Sequence, residues 1–279
     1  MAKKITWLAG PVALLLISSV NAGDLSSDIR KGADGPHAGN GNYIELGLSL
    51  GALQSPLYGL PRDSTPGETF YAGSLDLNLH LQYKGWFMEG FSQSLEQFTF
   101  GYNFAESDRW SLDTVVLEQH GEISASESKY LKGIKTRDSD FMMGLRATGY
   151  YANYILQAHV LTDTSDTHSG QVFSIKLARR WQYKNWNFHV IQSESYRTHK
   201  VVDYYLSVQA EDATEKFNEF HAQAGFTHTF EIGATYPLSQ KWVFRTLFRH
   251  IQMDSQWRNS PLLESTHGNL FTNSISYVF

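Results

Sequence analysis

Three histidines, His80, His159 and His189, stand where extended chain would bring them to one face of a sheet. Metal ligation needs imidazoles and carboxylates that converge, as two histidines four apart on a helix do. These three have no such spacing, and they read as polar lining. The absence of cysteine removes thiolate ligands and disulfides together. Nucleophilic chemistry fares no better. His189 and Ser193 share a face of one extended segment, but four residues there span about 13 Å. His168 and Ser169 are neighbours, so in a strand they would point in opposite directions. A serine beside a base and an orienting acid, the requirement of a lipid-hydrolysing enzyme, is not found within any segment. The chain is therefore expected to be no enzyme, with no metal and no cofactor.

Charged residues show more order. Glu45, Asp76, Asp113 and Glu231, with Arg146, Lys176, Arg245 and Arg249, all sit opposite the apolar residues of their segments. Two readings are open: a charged constriction that selects solutes, or a mixed-sign network that fills and stiffens a closed sheet. The second is favoured, because small barrels are mostly filled by side chains and only large ones hold open channels. The net charge of −5 comes without a basic block, so a nucleic-acid partner is not expected.

The elements that carry these residues follow from alternation. From Tyr71 to Tyr83, Tyr71, Gly73, Leu75, Leu77, Leu79, Leu81 and Tyr83 fall on one side, and Ser74, Asp76, Asn78, His80 and Gln82 on the other. A helix would scatter both groups; a strand separates them. Similar segments fall near 43–52, 86–92, 96–104, 109–120, 139–150, 151–162, 170–182, 185–197, 226–236, 242–251 and 269–279, which with 70–83 makes about twelve. Connections after even-numbered strands are short (84–85, 105–108, the Tyr150/Tyr151 junction, 183–184, 237–241). Those at 53–69, 121–138, 198–225 and 252–268 are long, while 93–95 is unexpectedly tight. The pattern predicts an all-β, transmembrane antiparallel β-barrel over residues 41–279, with long extracellular loops and short periplasmic turns.

Composition fits a barrel wall. Mean hydropathy is only −0.34, yet aromatics reach 14%, because alternate residues meet lipid and water. Trp86, Trp110, Trp181, Trp186 and Trp242 adjoin predicted short turns, joined by Tyr83, Phe104, Tyr150, Tyr151, Tyr183 and Tyr236. This is an interfacial girdle in the making. A soluble barrel with its apolar face inward would alternate equally well; the strand number, the girdle and the terminal Phe favour the membrane form.

The ends supply the address. Lys3 and Lys4, an apolar run from Ile5 to Val20 and the small residues Val20-Asn21-Ala22 read as a signal peptide over 1–22, cut between Ala22 and Gly23. Residues 23–40 are expected to be a flexible periplasmic segment. Ile275, Tyr277 and Phe279 alternate up to a terminal aromatic and resemble the signal read by the barrel assembly machinery. The cell outer membrane, with its lipid as partner, is the expected location. In the long loop 198–225, Ala213 to Phe220 reads as a short amphipathic helix or as a hydrophobic tuck onto the barrel rim.

Val201-Val202-Asp203-Tyr204-Tyr205, Leu131-Lys132-Gly133-Ile134-Lys135-Thr136-Arg137-Asp138 with Phe141 and Gly144, Leu238-Ser239-Gln240-Lys241-Trp242, and Ser260-Pro261-Leu262 before Tyr277 and Phe279 together resemble the MipA/OmpV family (MltA-interacting protein) of outer-membrane proteins. At Ser55-Pro56-Leu57-Tyr58-Gly59 the chain departs from the family's first-loop turn. The resemblance implies an outer-membrane scaffold that gathers murein-processing enzymes, a lytic transglycosylase and a murein synthase. If these are the partners, the short turns offer them little surface, which leaves residues 23–40 as the expected contacting segment. The alternatives are a passive porin-like channel for small solutes and a surface adhesin or receptor.

Overall fold

In the computed structural model, residues 25–31, 42–60, 65–94, 96 and 98–279 are described, with the side chains of 27 and 31 left aside. Twelve strands form one closed antiparallel barrel: β1 (Tyr43–Gln54), β2 (Phe70–Tyr83), β3 (Trp86–Gly90), β4 (Phe98–Ser107), β5 (Trp110–Glu118), β6 (Phe141–Tyr151), β7 (Tyr154–Asp163), β8 (Gln171–Tyr183), β9 (Trp186–Arg197), β10 (Gly225–Pro237), β11 (Trp242–Met253) and β12 (His267–Val278). Each pairs with its sequence neighbours, and β1 meets β12 from Glu45↔Val278 to Gln54↔Asn269. Pairing of β1 with β12 closes the ring, as a sheet in hydrocarbon requires; β3 is short and pairs only Leu79–Tyr83 of β2. The strands expected from alternation are these twelve.

Burial decides which face looks out. On β2, Asp76, Asn78 and His80 are buried while Tyr71, Leu75 and Leu77 are exposed by 77%, 68% and 49%. A soluble barrel would have this reversed. Leu46, Leu48, Leu50, Leu145, Leu156, Ile175, Leu177 and Ile232 are likewise exposed, so the outer wall is an apolar band and the inner wall is polar. That arrangement belongs in a bilayer, and the protein is a membrane-spanning barrel. Trp86, Trp110, Trp181 and Trp242, with Tyr83, Phe104, Tyr151 and Tyr183, face outward near the short-turn end. Tyr150 does not join them. The β6–β7 turn lies at 152–153, with Ala152 at φ 50°. Both tyrosines therefore belong to β6 and must point oppositely, which sends Tyr150 inward.

Two segments enter the lumen. β3 stops at Gly90 and β4 starts at Phe98, so the connection expected to be tight, 93–95, is longer, and Phe91, Gln93, Ser94 and Glu96 are buried. The second is α1 (Leu25–Lys31). Leu25 and Ile29 pack on Tyr150, Ile155, Ala178 and Ile191, all on inward positions of β6 to β9. Residues 23–40 were expected to be flexible and periplasmic. The part of them that is described is instead a helix docked inside the barrel, because the wall offers it an apolar patch. The signal-peptide region and its expected cut at Ala22 and Gly23 lie outside the described residues.

The long connections do not splay. They fold over the extracellular end around a second core that includes Ile123, Leu131, Ile134, Val208, Phe217, Trp257, Leu262 and Leu263. Its centrepiece is α2 (His199–Leu206), which buries Val201, Val202, Tyr205 and Leu206 on one side. Burial of each such side chain is worth about 1.5–3 kcal/mol. The bridge Leu57↔Leu263 ties the first connection to the last, while Ile123↔Arg137 and Val208↔Phe220 fold the 119–140 and 198–224 connections back on themselves. The helix in loop 198–225 thus lies upstream of the expected 213–220. There Phe217 and Phe220 make the tuck, Phe217 buried and Phe220 paired with Val208.

Candidate functional site

The inner wall is a set of interlocked ion pairs. β1 and β11 place Glu45 against Arg245 in a two-pronged contact, the Nη2–Oε2 arm at 3.0 Å, and Asn78 donates to the same carboxylate at 3.0 Å. β5 and β6 bring Asp113 to Arg146 Nε at 3.0 Å, and Arg146 Nη1 continues to Glu89 at 2.9 Å. Glu231 on β10 receives Arg249 Nε at 2.9 Å, His189 Nε2 at 2.9 Å and the Arg30 guanidinium of α1. Lys176 meets Glu96 of the inserted 91–97 connection at 2.5 Å, with His159 3.5 Å away. Asp76 is held by the hydroxyls of Ser49 and Ser74 at 3.0 and 3.3 Å.

Each of these carboxylates is buried and met by several donors. Leaving one side of such a pair unmatched costs about 3–5 kcal/mol, so the network resists being pulled apart for passage. Arg30 lies over Phe91 at 4.7 Å and Arg249 Nη2 bonds the carbonyl of Gln93 at 2.5 Å. The helix, the inserted connection and the wall are therefore one unit. The expected inward charges Glu45, Asp76, Asp113, Arg146, Lys176, Glu231, Arg245 and Arg249 all stand on this inner wall and are buried. The partners that sequence reasoning did not name are Glu89, Glu96 and Arg30. Glu89 has the inward parity of Phe87 on a very short strand, whereas Glu96 and Arg30 come from segments with no strand parity to read.

A second polar node lies in the cap. Asp140, fully buried, accepts from the backbone N–H groups of Gln119 and His120 at 3.1 and 2.8 Å, and from His120 Nδ1 and His168 Nε2 at 2.7 and 2.8 Å. The other ring nitrogens fix the tautomers. His120 Nε2 accepts from Arg197 Nε at 3.1 Å, and His168 Nδ1 accepts from the Gly170 N–H at 2.9 Å. Arginine always donates, so each imidazole carries its one proton toward Asp140. This group has two imidazoles and a carboxylate within metal-binding reach. A ligand nitrogen, however, must offer its lone pair, and both lone pairs already point away at N–H donors. The same occupancy denies either ring the role of a base.

Burial holds the His120 imidazole below its ordinary pKa. Burial by itself would raise Asp140, but the bonds from His120 and His168 outweigh it and drive the carboxyl well below the usual carboxylate range. Tyr205 of α2 stacks on His120 at 4.6 Å, and burial beside the Asp140 charge pushes its phenol far up. Under this node, a chamber of about 290 Å³ is lined by Leu57, Ile123, Val201, Val202, Met253 and Trp257, with Gln119, His120 and Arg197 on its polar side.

At the closing seam, Phe279 N bonds Ile44 O at 3.1 Å. Ile275 and Phe279 face lipid, and Tyr277 packs on Trp242 at 5.2 Å and on Phe279 at 5.0 Å.

A curated relative, the outer membrane protein Omp26La of Vibrio anguillarum, is 26% identical over 85 residues, covering 30% of this chain and about a third (33%) of its own length. Among solved structures, the NanC porin has a TM-score of 0.45 at 10% identity, over 83% of this chain and 98% of that one. The outer membrane channel DcaP of Acinetobacter baumannii has a TM-score of 0.44 at 9% identity, over 86% and 96%. The family model of the MltA-interacting protein MipA matches residues 48–279, from β1 through the C-terminal strand. The chain belongs to the MipA family of outer-membrane proteins.

Proposed function

We propose that this barrel is a non-catalytic scaffold that holds murein-processing enzymes, a lytic transglycosylase and a murein synthase, against the outer membrane. The observation that carries this reading is the occupied lumen. A passive channel needs a continuous wet path, whereas here α1, Phe91, Gln93, Ser94 and Glu96, and ion pairs such as Arg30–Glu231 occupy the lumen. The family's own description, an MltA-interacting protein, supports a protein partner. The paired tautomers of His120 and His168 support the absence of catalysis in the cap.

Partners in the periplasm would meet the short-turn rim. Residues 25–31 are turned into the lumen, so contact through the 23–40 segment falls to its remaining residues or requires α1 to undock. Affinity capture of the folded, tagged protein from outer-membrane extracts, with an unrelated barrel as control, tests the scaffold. Recovery of a transglycosylase or murein synthase above control is the expected result. Recovery of neither, together with ion-selective conductance in planar bilayers, would replace the scaffold by a channel.

A further inference from the structure

Arg197 ends β9 at the floor of the cap, and its surroundings are unusual for a cation. Nε donates to His120 Nε2 at 3.1 Å and Nη1 to Thr227 Oγ1 at 2.6 Å, both neutral acceptors. Among the described residues no carboxylate lies within 4.0 Å of it, and Nη2 makes no hydrogen bond to another described residue. Asp140 is the nearby anion, but its two oxygens already hold four N–H donors. The guanidinium has five N–H groups in a planar fork suited to a carboxylate, and at least Nη2 is left to use.

Arg197 is also one of the residues that line the chamber beneath α2. The rest of the chamber wall is mostly apolar: Leu57, Ile123, Val201, Val202, Met253 and Trp257. Gln119 contributes a second polar group, with its side-chain oxygen buried and unmatched by a donor. At about 290 Å³ the chamber is near the lower end of small-molecule pockets, which run from roughly 300 to 1,000 Å³. A volume of about 30 Å³ per water-sized group allows a body of about ten non-hydrogen atoms. Gly121 and Glu122 also line the chamber and are exposed, so it meets solvent on the extracellular side.

An apolar chamber with one under-used guanidinium suits a ligand that is apolar at one end and anionic at the other. We infer that the cap chamber is a binding site for a small amphipathic carboxylate, its charge on Arg197 and its apolar body between α2 and Trp257. Lys and Arg elsewhere in the barrel are not equivalent, because those of the lumen are already matched to acids. The site is independent of any scaffold role, since it faces the opposite side of the membrane.

The test uses the full folded protein in nanodiscs, titrated with 3-phenylpropanoate, 3-phenylpropan-1-ol and 3-phenylpropylammonium. Binding is read by calorimetry and by the emission change that vanishes in Trp257→Phe. The expected order is carboxylate first, with the alcohol at least tenfold weaker and the ammonium weakest. Arg197→Gln is expected to remove the preference for carboxylate over alcohol, and Arg197→Lys to restore it in part. Equal binding of carboxylate and alcohol by the wild-type protein overturns the assignment whether or not the variants fold. A carboxylate signal that survives in Trp257→Phe with the emission change intact overturns the location.

Discussion

Asp140 and His120 make the cap sensitive to acid, and the direction follows from their protonation. The buried His120 of the closed cap resists a proton that an opened His120 takes up near its ordinary value of 6.5. Closure is therefore at full strength above pH 6.5 and weakens as pH falls below it. Asp140 acts in the same sense at lower pH: closed, it stays ionised below the ordinary 3.8, so its contribution fades as pH drops past that value. The groups facing this pair are Arg197 from β9, Asp163 at the end of β7, His168 just beyond it, and the two tyrosines of α2. Trypsin cleavage at Lys132, Lys135 and Arg137 should accelerate between pH 7 and pH 5 while the barrel keeps its folded gel mobility. Asp140→Ala should bring that acceleration to neutral pH, since each buried donor left unmatched costs about 1–3 kcal/mol. Deeper in the barrel, Glu231→Gln leaves Arg30 and Arg249 without their anion. A loss of roughly 3–5 kcal/mol in urea unfolding is expected, which would be absent if the lumen were wet enough to screen them.

Among the elements, α1 has the most specific seat. Leu25 and Ile29 fill a patch made by Tyr150, Ile155, Ala178 and Ile191, Tyr150 also bonds Asp28 at 2.5 Å, and Asn187 bonds the carbonyl of Arg30 at 2.8 Å. Ile29→Asp puts a charge into that patch, and the helix should leave it. Planar-bilayer recordings should then show openings that the wild type lacks; silence in both would mean that the 91–97 connection blocks the lumen alone. Close strand approach is as specific. A Cβ at Gly144 would lie 1.8 Å from the Val160 carbonyl oxygen, so Gly144→Ala must push β6 from β7 and should lower the yield of folded barrel.

At the scale of the whole molecule, the barrel was legible because parity has only two outcomes. Most strands separated apolar from polar residues, those at β3 and β5 only weakly, and the boundaries fell within three positions of those expected. Orientation was not legible from parity, since an inverted barrel alternates identically; exposure of Leu75 and burial of Asp76 resolved it. The lumen's wall residues could be read for the same reason, and its contents could not, because Arg30 and Glu96 reach it from outside any strand. Yet exceptions to parity marked where something docks. Ile155, Ala178 and Ile191 are apolar at inward positions under α1, and Val115, Leu117, Met142, Leu161 and Val172 are apolar at inward positions under the cap. The cap itself was hidden because its core joins residues from four separate loops.

The Glu45–Arg245 pair joins β1 to β11 and so reaches across β12, whose Ser276 lies beneath it. It can form only once the first strand has met the last, after the rest of the ring is in place. Interactions completed that late leave the rate of folding nearly unchanged and slow the reverse step. This pair is thus a latch on the lifetime of the closed ring: removing it would shorten how long a barrel stays shut without delaying how soon it first closes.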